Sequence, residues 1–199
     1  MKNLNTTNPA ANENRKRDLL LVIDMQNVYT KGQAWACRNT RQTSAAIRRL
    51  LDAEVCANVL FTRYLASQQP AGVWAEYNRL NEAINKDRFA NEMMPEFVPY
   101  LERWPLLTKS VYSSFAIPEV KKAAQKAGRV LITGVVAECC ILSTVLAGID
   151  EGCKIIYLKD AVSGLTAESE AETEKIISYF APLHAQIMTV DDYLSRVRQ

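Results

Sequence analysis

The first strongly patterned stretch of the chain is an unbroken apolar run, residues 19–23, closed by Asp24 and followed by the polar pair Gln26 and Asn27. Such a run, bounded by polar residues and too short for a helix, reads as a strand buried on both faces, with Asp24 at its C-terminal tip. The period then changes. Ala46, Ile47, Leu50 and Leu51 recur at helix spacing opposite Arg48, Arg49 and Asp52, predicting a helix over residues 43–53. Residues 59–64 form a second apolar strand pattern, and residues 106–109 a short one ending in Lys109. Pro118 opens a helical pattern that Gly128 stops. A strand around Val130, a helix carrying Cys139 and Cys140 to about Gly148, a strand over 154–158, a helix over 167–180 and a short strand over 186–189 complete the order. This alternation predicts an α/β fold: a doubly wound, mostly parallel sheet with helices on both faces.

One stretch breaks the rhythm. Residues 65–105 are polar and aromatic, with Trp74, Tyr77, Phe89, Phe97 and Trp104, and exceed the length of an ordinary connection. A helix within them, forming a wall or lid over a site, is the expectation.

Composition narrows the classes. With 199 residues and 48% hydrophobic content, the chain suits a single domain over 18–199, preceded by a polar leader, residues 1–17, expected to be disordered. The leader has no apolar run that would serve as a signal peptide or anchor. Twenty-four basic residues balance 22 acidic ones, so charge calls for neither nucleic acid nor a membrane surface. Five cysteines are an odd count in a core-rich chain, which points to a reduced, cytoplasmic setting. Cys56 and Cys153 lie in apolar surroundings and read as small packing residues. A single histidine, His184, makes a His-rich zinc site or a Cys-His dyad hard to build.

In open parallel sheets ligands bind beyond the carboxyl ends of the strands, where Asp24, Lys109 and the paired thiols all fall. A thiol needs help to react near neutral pH, and the first turn of a helix favours the thiolate. A carboxylate beside it accepts the proton, and an ammonium holds the carboxylate and favours the thiolate. Each residue also has a plain reading. Asp24 suits a cap or turn, and Lys109 the polar end of a strand. The choice between Cys139 and Cys140 stays open on this ground alone.

Asp24-Met25-Gln26-Asn27, the segment from Lys109 to Phe115, and Gly134 through Thr144 resemble three signature segments of the isochorismatase-like cysteine hydrolases, a family that includes nicotinamidases, N-carbamoylsarcosine amidohydrolases and ureido-acid hydrolases. The resemblance covers roughly residues 18–189. It implies a catalytic triad of Asp24, Lys109 and Cys140, since the family cysteine lies six positions after the glycine and four before the threonine. Cys140, Thr144, Ala147 and Gly148 would also share a helix face of small residues. Cys139 becomes a structural neighbour, or a resolving thiol for an oxidised Cys140. A cis peptide between Val135 and Val136 and an oxyanion hole from the backbone N–H groups of Val136 and Cys140 are implied as well.

Nicotinamidases of this family bind a metal through an Asp and two His after the second strand, where this chain has Tyr64, Leu65 and Ala66. The resemblance therefore implies no catalytic metal, no cofactor, and a substrate other than nicotinamide. A cysteine favours hydrolysis of a C–N bond in a small amide or ureido compound through a thioester. Two alternatives stand beside it: a vinyl-ether hydrolase using Asp24 as acid, and a non-hydrolytic ligand-binding or redox-sensing protein. Arg63 is a candidate for a substrate carboxylate, and Trp74, Tyr77 and Phe115 for the pocket wall, each with packing or a salt bridge as the plainer reading. Gln26 and Asn27 are expected to support Asp24. By resemblance the chain is a homo-oligomer, a dimer or tetramer.

Overall fold

The computed structural model describes residues 18–198. Six strands form one parallel sheet: β1 (Leu19–Ile23), β2 (Asn58–Tyr64), β3 (Leu106–Lys109), β4 (Val130–Val135), β5 (Ile155–Ser163) and β6 (Ala185–Met188). Their order is β3-β2-β1-β4-β5-β6, and every pairing is parallel. The chain winds outward from β1 through β2 to β3, then returns to the other side of β1 with β4. The two halves part between β1 and β4, and a crevice at such a reversal is where α/β sheets bind ligands. The doubly wound expectation is met.

Burial follows strand parity. Leu20 and Val22 of β1 enter one hydrophobic layer, and Leu19, Leu21 and Ile23 the other. Over the first layer lie α1 (Thr40–Asp52), through Ala46, Ile47, Leu50 and Leu51, and the C-terminal α8 (Val190–Arg198). Over the second lie α5 (Pro118–Lys126), α6 (Leu142–Asp150) and α7 (Ala167–Ser178). All five residues of β1 are buried, and each such apolar side chain contributes about 1.5–3 kcal/mol on leaving water.

Several boundaries differ from the sequence reading. Helix α1 begins at Thr40, whose hydroxyl donates to the Tyr29 carbonyl at 2.7 Å. Strand β5 continues to Ser163: its register against β4 shifts at Ile132/Gly134, and Val162 and Ser163 then pair with Gly134 and Val135. Helix α8 is absent from the sequence reading, although Val190, Tyr193, Leu194 and Val197 carry its apolar period. It starts with a reciprocal cap: the Asp192 N–H donates to Thr189 Oγ1 at 3.1 Å, and the Thr189 N–H to Asp192 Oδ2 at 3.1 Å. Its Tyr193 hydroxyl donates to Asp18 Oδ2 at 2.8 Å, and Asp18 also takes two bonds from Arg129.

The long aromatic stretch holds α2 (Trp74–Leu80), α3 (Glu82–Lys86), α4 (Arg88–Asn91) and a 3-10 segment (Pro95–Glu102). It is bound back to the end of β1. The Met94 N–H donates to the Met25 carbonyl at 2.9 Å, and the Asn27 N–H to the Glu92 carbonyl at 2.9 Å. The leader, residues 1–17, lies outside the described residues.

Candidate active site

Asp24 sits just past β1 with φ +55°, a left-handed conformation that few non-glycine residues adopt. Its N–H donates to the Thr62 carbonyl at 3.0 Å, and its carbonyl accepts the Gln26 N–H at 2.7 Å, so both ends of the turn are held. The carboxylate is held as firmly. Thr62 Oγ1 donates to Oδ1 at 2.8 Å, and Lys109 Nζ to Oδ2 at 2.5 Å, with both side chains of the ion pair fully buried.

Lys109 reaches this place because β3 ends there, in register with Tyr64 of β2. Its ammonium also donates to the Val111 carbonyl at 3.2 Å and to Cys140 Sγ at 3.3 Å. An ammonium has three protons, and three acceptors take them. Burial alone would pull Lys109 down, but the Asp24 charge and the Cys140 sulfur outweigh it and hold the ammonium above its usual value.

Cys140 arrives from β4 through Gly134, where φ is +111° and a Cβ would stand 2.0 Å from the Ile23 carbonyl oxygen. The Val135–Val136 peptide is cis, in line with the resemblance. A π-helical turn, Ala137–Ile141, then leads into α6, and the Val136 carbonyl accepts the N–H groups of Cys139 at 3.0 Å and Ile141 at 3.1 Å. Thr144 locks the carbonyl of Cys140, donating to it at 2.6 Å while accepting the Ser114 N–H at 3.0 Å.

The electrostatics differ from the sequence expectation in sign. Cys140 is 4% exposed, and burial pushes its thiol up; the Asp24 charge adds to this, and Lys109 opposes it without prevailing. In the free protein the sulfur is therefore a thiol beside a carboxylate, rather than a thiolate stabilised by a helix terminus. Cys139 is half-buried and packs against the opposite hydrophobic layer from Cys140.

Trp74 and Tyr77 lie in an aromatic cluster next to these groups. Their rings are 5.2 Å apart, at 6.4 and 6.5 Å from Tyr64, whose ring is 5.9 Å from Lys109 Nζ. Trp35 and Tyr112 complete the cluster, at 6.5 Å from Tyr77 and 5.0 Å from Trp74. Gln26 supports the wall: its side chain accepts the Tyr64 N–H at 2.8 Å and donates to the Tyr64 and Asn91 carbonyls. Asn27 holds the Phe89 carbonyl at 2.9 Å.

Two candidates do not join the triad. Arg63 pairs in register with Thr108 and donates to its hydroxyl at 3.0 Å, on the sheet face opposite Tyr64 and Lys109, because side chains alternate along a strand. Phe115 packs on Gly148 of α6 in the hydrophobic layer, where a Cβ on that glycine would meet its ring at 2.9 Å. Thr62, Thr144, Ser114, Trp35 and Tyr112 escape the sequence reading as site residues; only the spacing of Thr144 carries a signal, used there to choose the cysteine.

The residues after β2 do not fit a metal. Tyr64, Leu65, Ala66 and Ser67 offer no imidazole or carboxylate, and no group of three or more His, Cys, Asp or Glu gathers among the described residues. His184 is exposed, and its carbonyl accepts the Ile155 N–H at the start of β5, the opposite end of the sheet from the triad.

An acid, an ammonium and a thiol meeting beyond the ends of three parallel strands place the chain among α/β proteins whose chemistry sits at the carboxyl edge of the sheet. The family model of the isochorismatase domain matches residues 18–192, and the chain belongs to the isochorismatase family of hydrolases. No curated protein matches the sequence. Among solved structures it is similar to a cysteine hydrolase from Pseudomonas syringae pv. phaseolicola (TM-score 0.73, 20% identity, 92% of this chain and 93% of that one). It is also similar to the MAR1 ribonuclease of Caenorhabditis elegans (0.71, 18%, 92% and 82%) and to the pyrazinamidase of Pyrococcus horikoshii, solved with zinc (0.68, 19%, 87% and 99%). These likenesses show the shared fold. Among the described residues no helix is long and apolar enough to cross a membrane.

Proposed function

We propose that this protein is a metal-independent cysteine hydrolase that cleaves the C–N bond of a small amide or ureido compound through a thioester on Cys140, releasing ammonia or an amine. One observation carries the reading: a single buried ammonium, Lys109, bridges the Asp24 carboxylate and the Cys140 sulfur. With the thiol protonated at rest, Asp24 is the base that takes its proton as Sγ attacks the carbonyl carbon. The oxygen becomes negative, and the backbone N–H groups of Val136 and Cys140 are the proposed donors to it, each worth about 3 kcal/mol in such sites. Collapse breaks the C–N bond, and the proton on Asp24 goes to the departing nitrogen. Water then attacks the thioester with Asp24 again as base, and the thiol returns. Lys109 keeps its protons throughout and prevents Asp24 from swinging away.

The test is ammonia release from a panel of small amides and ureido acids by wild type, Cys140→Ala and Asp24→Asn. Loss in both variants supports the reading. Turnover of a vinyl ether that survives Cys140→Ala and fails only in Asp24→Asn favours the vinyl-ether hydrolase. No turnover of any amide, ureide or vinyl ether by wild type favours a non-hydrolytic role.

A further inference from the structure

Asp24, Lys109 and Cys140 are all buried, yet a substrate carbonyl has to come within bonding distance of Cys140 Sγ. The rings of α2 stand over them. Trp74 and Tyr77 pack on Tyr64, whose ring lies 5.9 Å from Lys109 Nζ, which in turn is 3.3 Å from Cys140 Sγ. Tyr77 also reaches Trp35, beyond β1, and Trp74 reaches Tyr112, three residues beyond Lys109. One short helix therefore bridges the chain beyond β1, β2 and β3, the side from which the acid and the ammonium come.

This cover is weakly attached. No residue of α2 or α3 is buried, and Val73 and Leu80 turn apolar side chains to solvent at the two ends of α2. The backbone N–H groups of Trp74, Ala75, Tyr77 and Asn81 bond within the segment, to the carbonyls of Ala71, Gly72, Val73 and Tyr77. Among the described residues, one side chain ties α2 back to the chain around the end of β2. Asn78 Oδ1 accepts the Tyr64 hydroxyl at 3.3 Å, and Asn78 Nδ2 donates to the Ser67 carbonyl at 3.2 Å. Both ends of the helix are suited to turning. Gly72, ahead of α2, has φ +55° with open space where a side chain would point, and Asn81 both closes α2 and opens α3. After α3 the chain is pinned: the Asn91 amide donates to the Ile84 and Asn85 carbonyls, and Gln26 holds the Asn91 carbonyl. Few buried contacts and few outward hydrogen bonds mark a segment that opens at low cost. We infer that α2 is a gate over the triad: it swings on Gly72 and Asn81, is latched shut by Asn78, and opens for a substrate to reach Cys140.

This inference rests on the cysteine-hydrolase reading only in naming Cys140 as the group to be reached, and alkylation tests it without turnover. Wild type and Asn78→Ala are treated with iodoacetamide, and modification of Cys140 and Cys56 is followed by peptide mapping. Cys56 is buried beside Tyr193 of α8, at the other end of β2 from α2, so it reports global unfolding. Loss of both Asn78 bonds corresponds to about a tenfold rise in the open population, which alkylation through a fast gate follows. The expected result is that Cys140 reacts about tenfold faster in Asn78→Ala, with the same pH dependence because the charges around Sγ are untouched, while Cys56 changes less than about twofold. A Cys140 rate within about twofold of wild type, a Cys56 rate that rises in step, or a changed pH dependence that accounts for the rise overturns the inference. If Asn78→Ala does not fold, Tyr64→Phe removes the same latch bond from its other end and is read the same way, with a rise of about threefold. Ammonia release that fails while the gate result holds would count against the hydrolase reading and leave α2 as a gate.

Discussion

Thr62 Oγ1 donates to Asp24 Oδ1 at 2.8 Å, and this leaves Oδ2 to the Lys109 ammonium. The two oxygens of one buried carboxylate thus have separate tasks, one fixed to the neighbouring strand and one coupled to the cation that touches Cys140. Thr62→Val keeps the shape of the strand and removes that first bond. A hydrogen bond to a charged group is worth about 1.5–3 kcal/mol, so a loss in that range is expected in urea unfolding, with kcat lowered about tenfold as Asp24 loses its orientation.

Lys109→Met should be more damaging than Thr62→Val. It strands a fully buried carboxylate, a change that typically costs about 3–5 kcal/mol. The double variant Asp24→Asn with Lys109→Met removes both charges and should recover most of that stability without recovering activity. Urea midpoints of the wild type, both single variants and the double variant check this as a cycle.

The backbone approach at the strand switch is tested by glycine. Gly134→Ala would drive a Cβ to 2.0 Å from the Ile23 carbonyl oxygen, and is expected to abolish soluble, folded protein. Gly32, at φ +86° with open space where a side chain would point, is the matched control. Gly32→Ala should cost only about 1 kcal/mol, from backbone strain alone, as measured by thermal melting.

Stability should fall in alkali. Burial pushes the Cys37 and Cys56 thiols up to about 12 each, against an ordinary thiol value of about 8.5. A group whose value is raised on folding stabilises the native state fully below its unfolded value, and that contribution is lost as pH rises through the folded one. The window therefore opens near pH 8.5 and extends to about pH 12. Urea midpoints at about pH 7 and about pH 10 should show the higher pH to be less stable, and Cys56→Ala should flatten the difference.

Much of this architecture can be read from the chain because its apolar runs end on chemistry. Residues 19–23 stop at Asp24 and residues 106–108 at Lys109, so strand tips and catalytic candidates coincide. Parity is harder to read. Arg63 and Thr62 are adjacent at the end of β2, and the register with β1 and β3 gives the inward place to the threonine. Phe115 reads as a pocket residue because it is aromatic and close to Lys109 in sequence, whereas the small face of α6 at Gly148 draws its ring into the core. Depth is the quantity the chain hides most completely. The lysine and the helix start both argue for a lowered Cys140, and burial reverses the sign.

Acylation of Cys140, with Asp24 as its base, is the step on which the proposed chemistry turns. Wild type mixed with an amide that releases ammonia is quenched in acid during turnover and its intact mass recorded, with the site mapped by peptide analysis. An added acyl mass is expected on Cys140, lost in Cys140→Ala and at least about a hundredfold slower to form in Asp24→Asn. Ammonia release that persists in Cys140→Ala, or an acyl group carried by another residue, would rule this chemistry out.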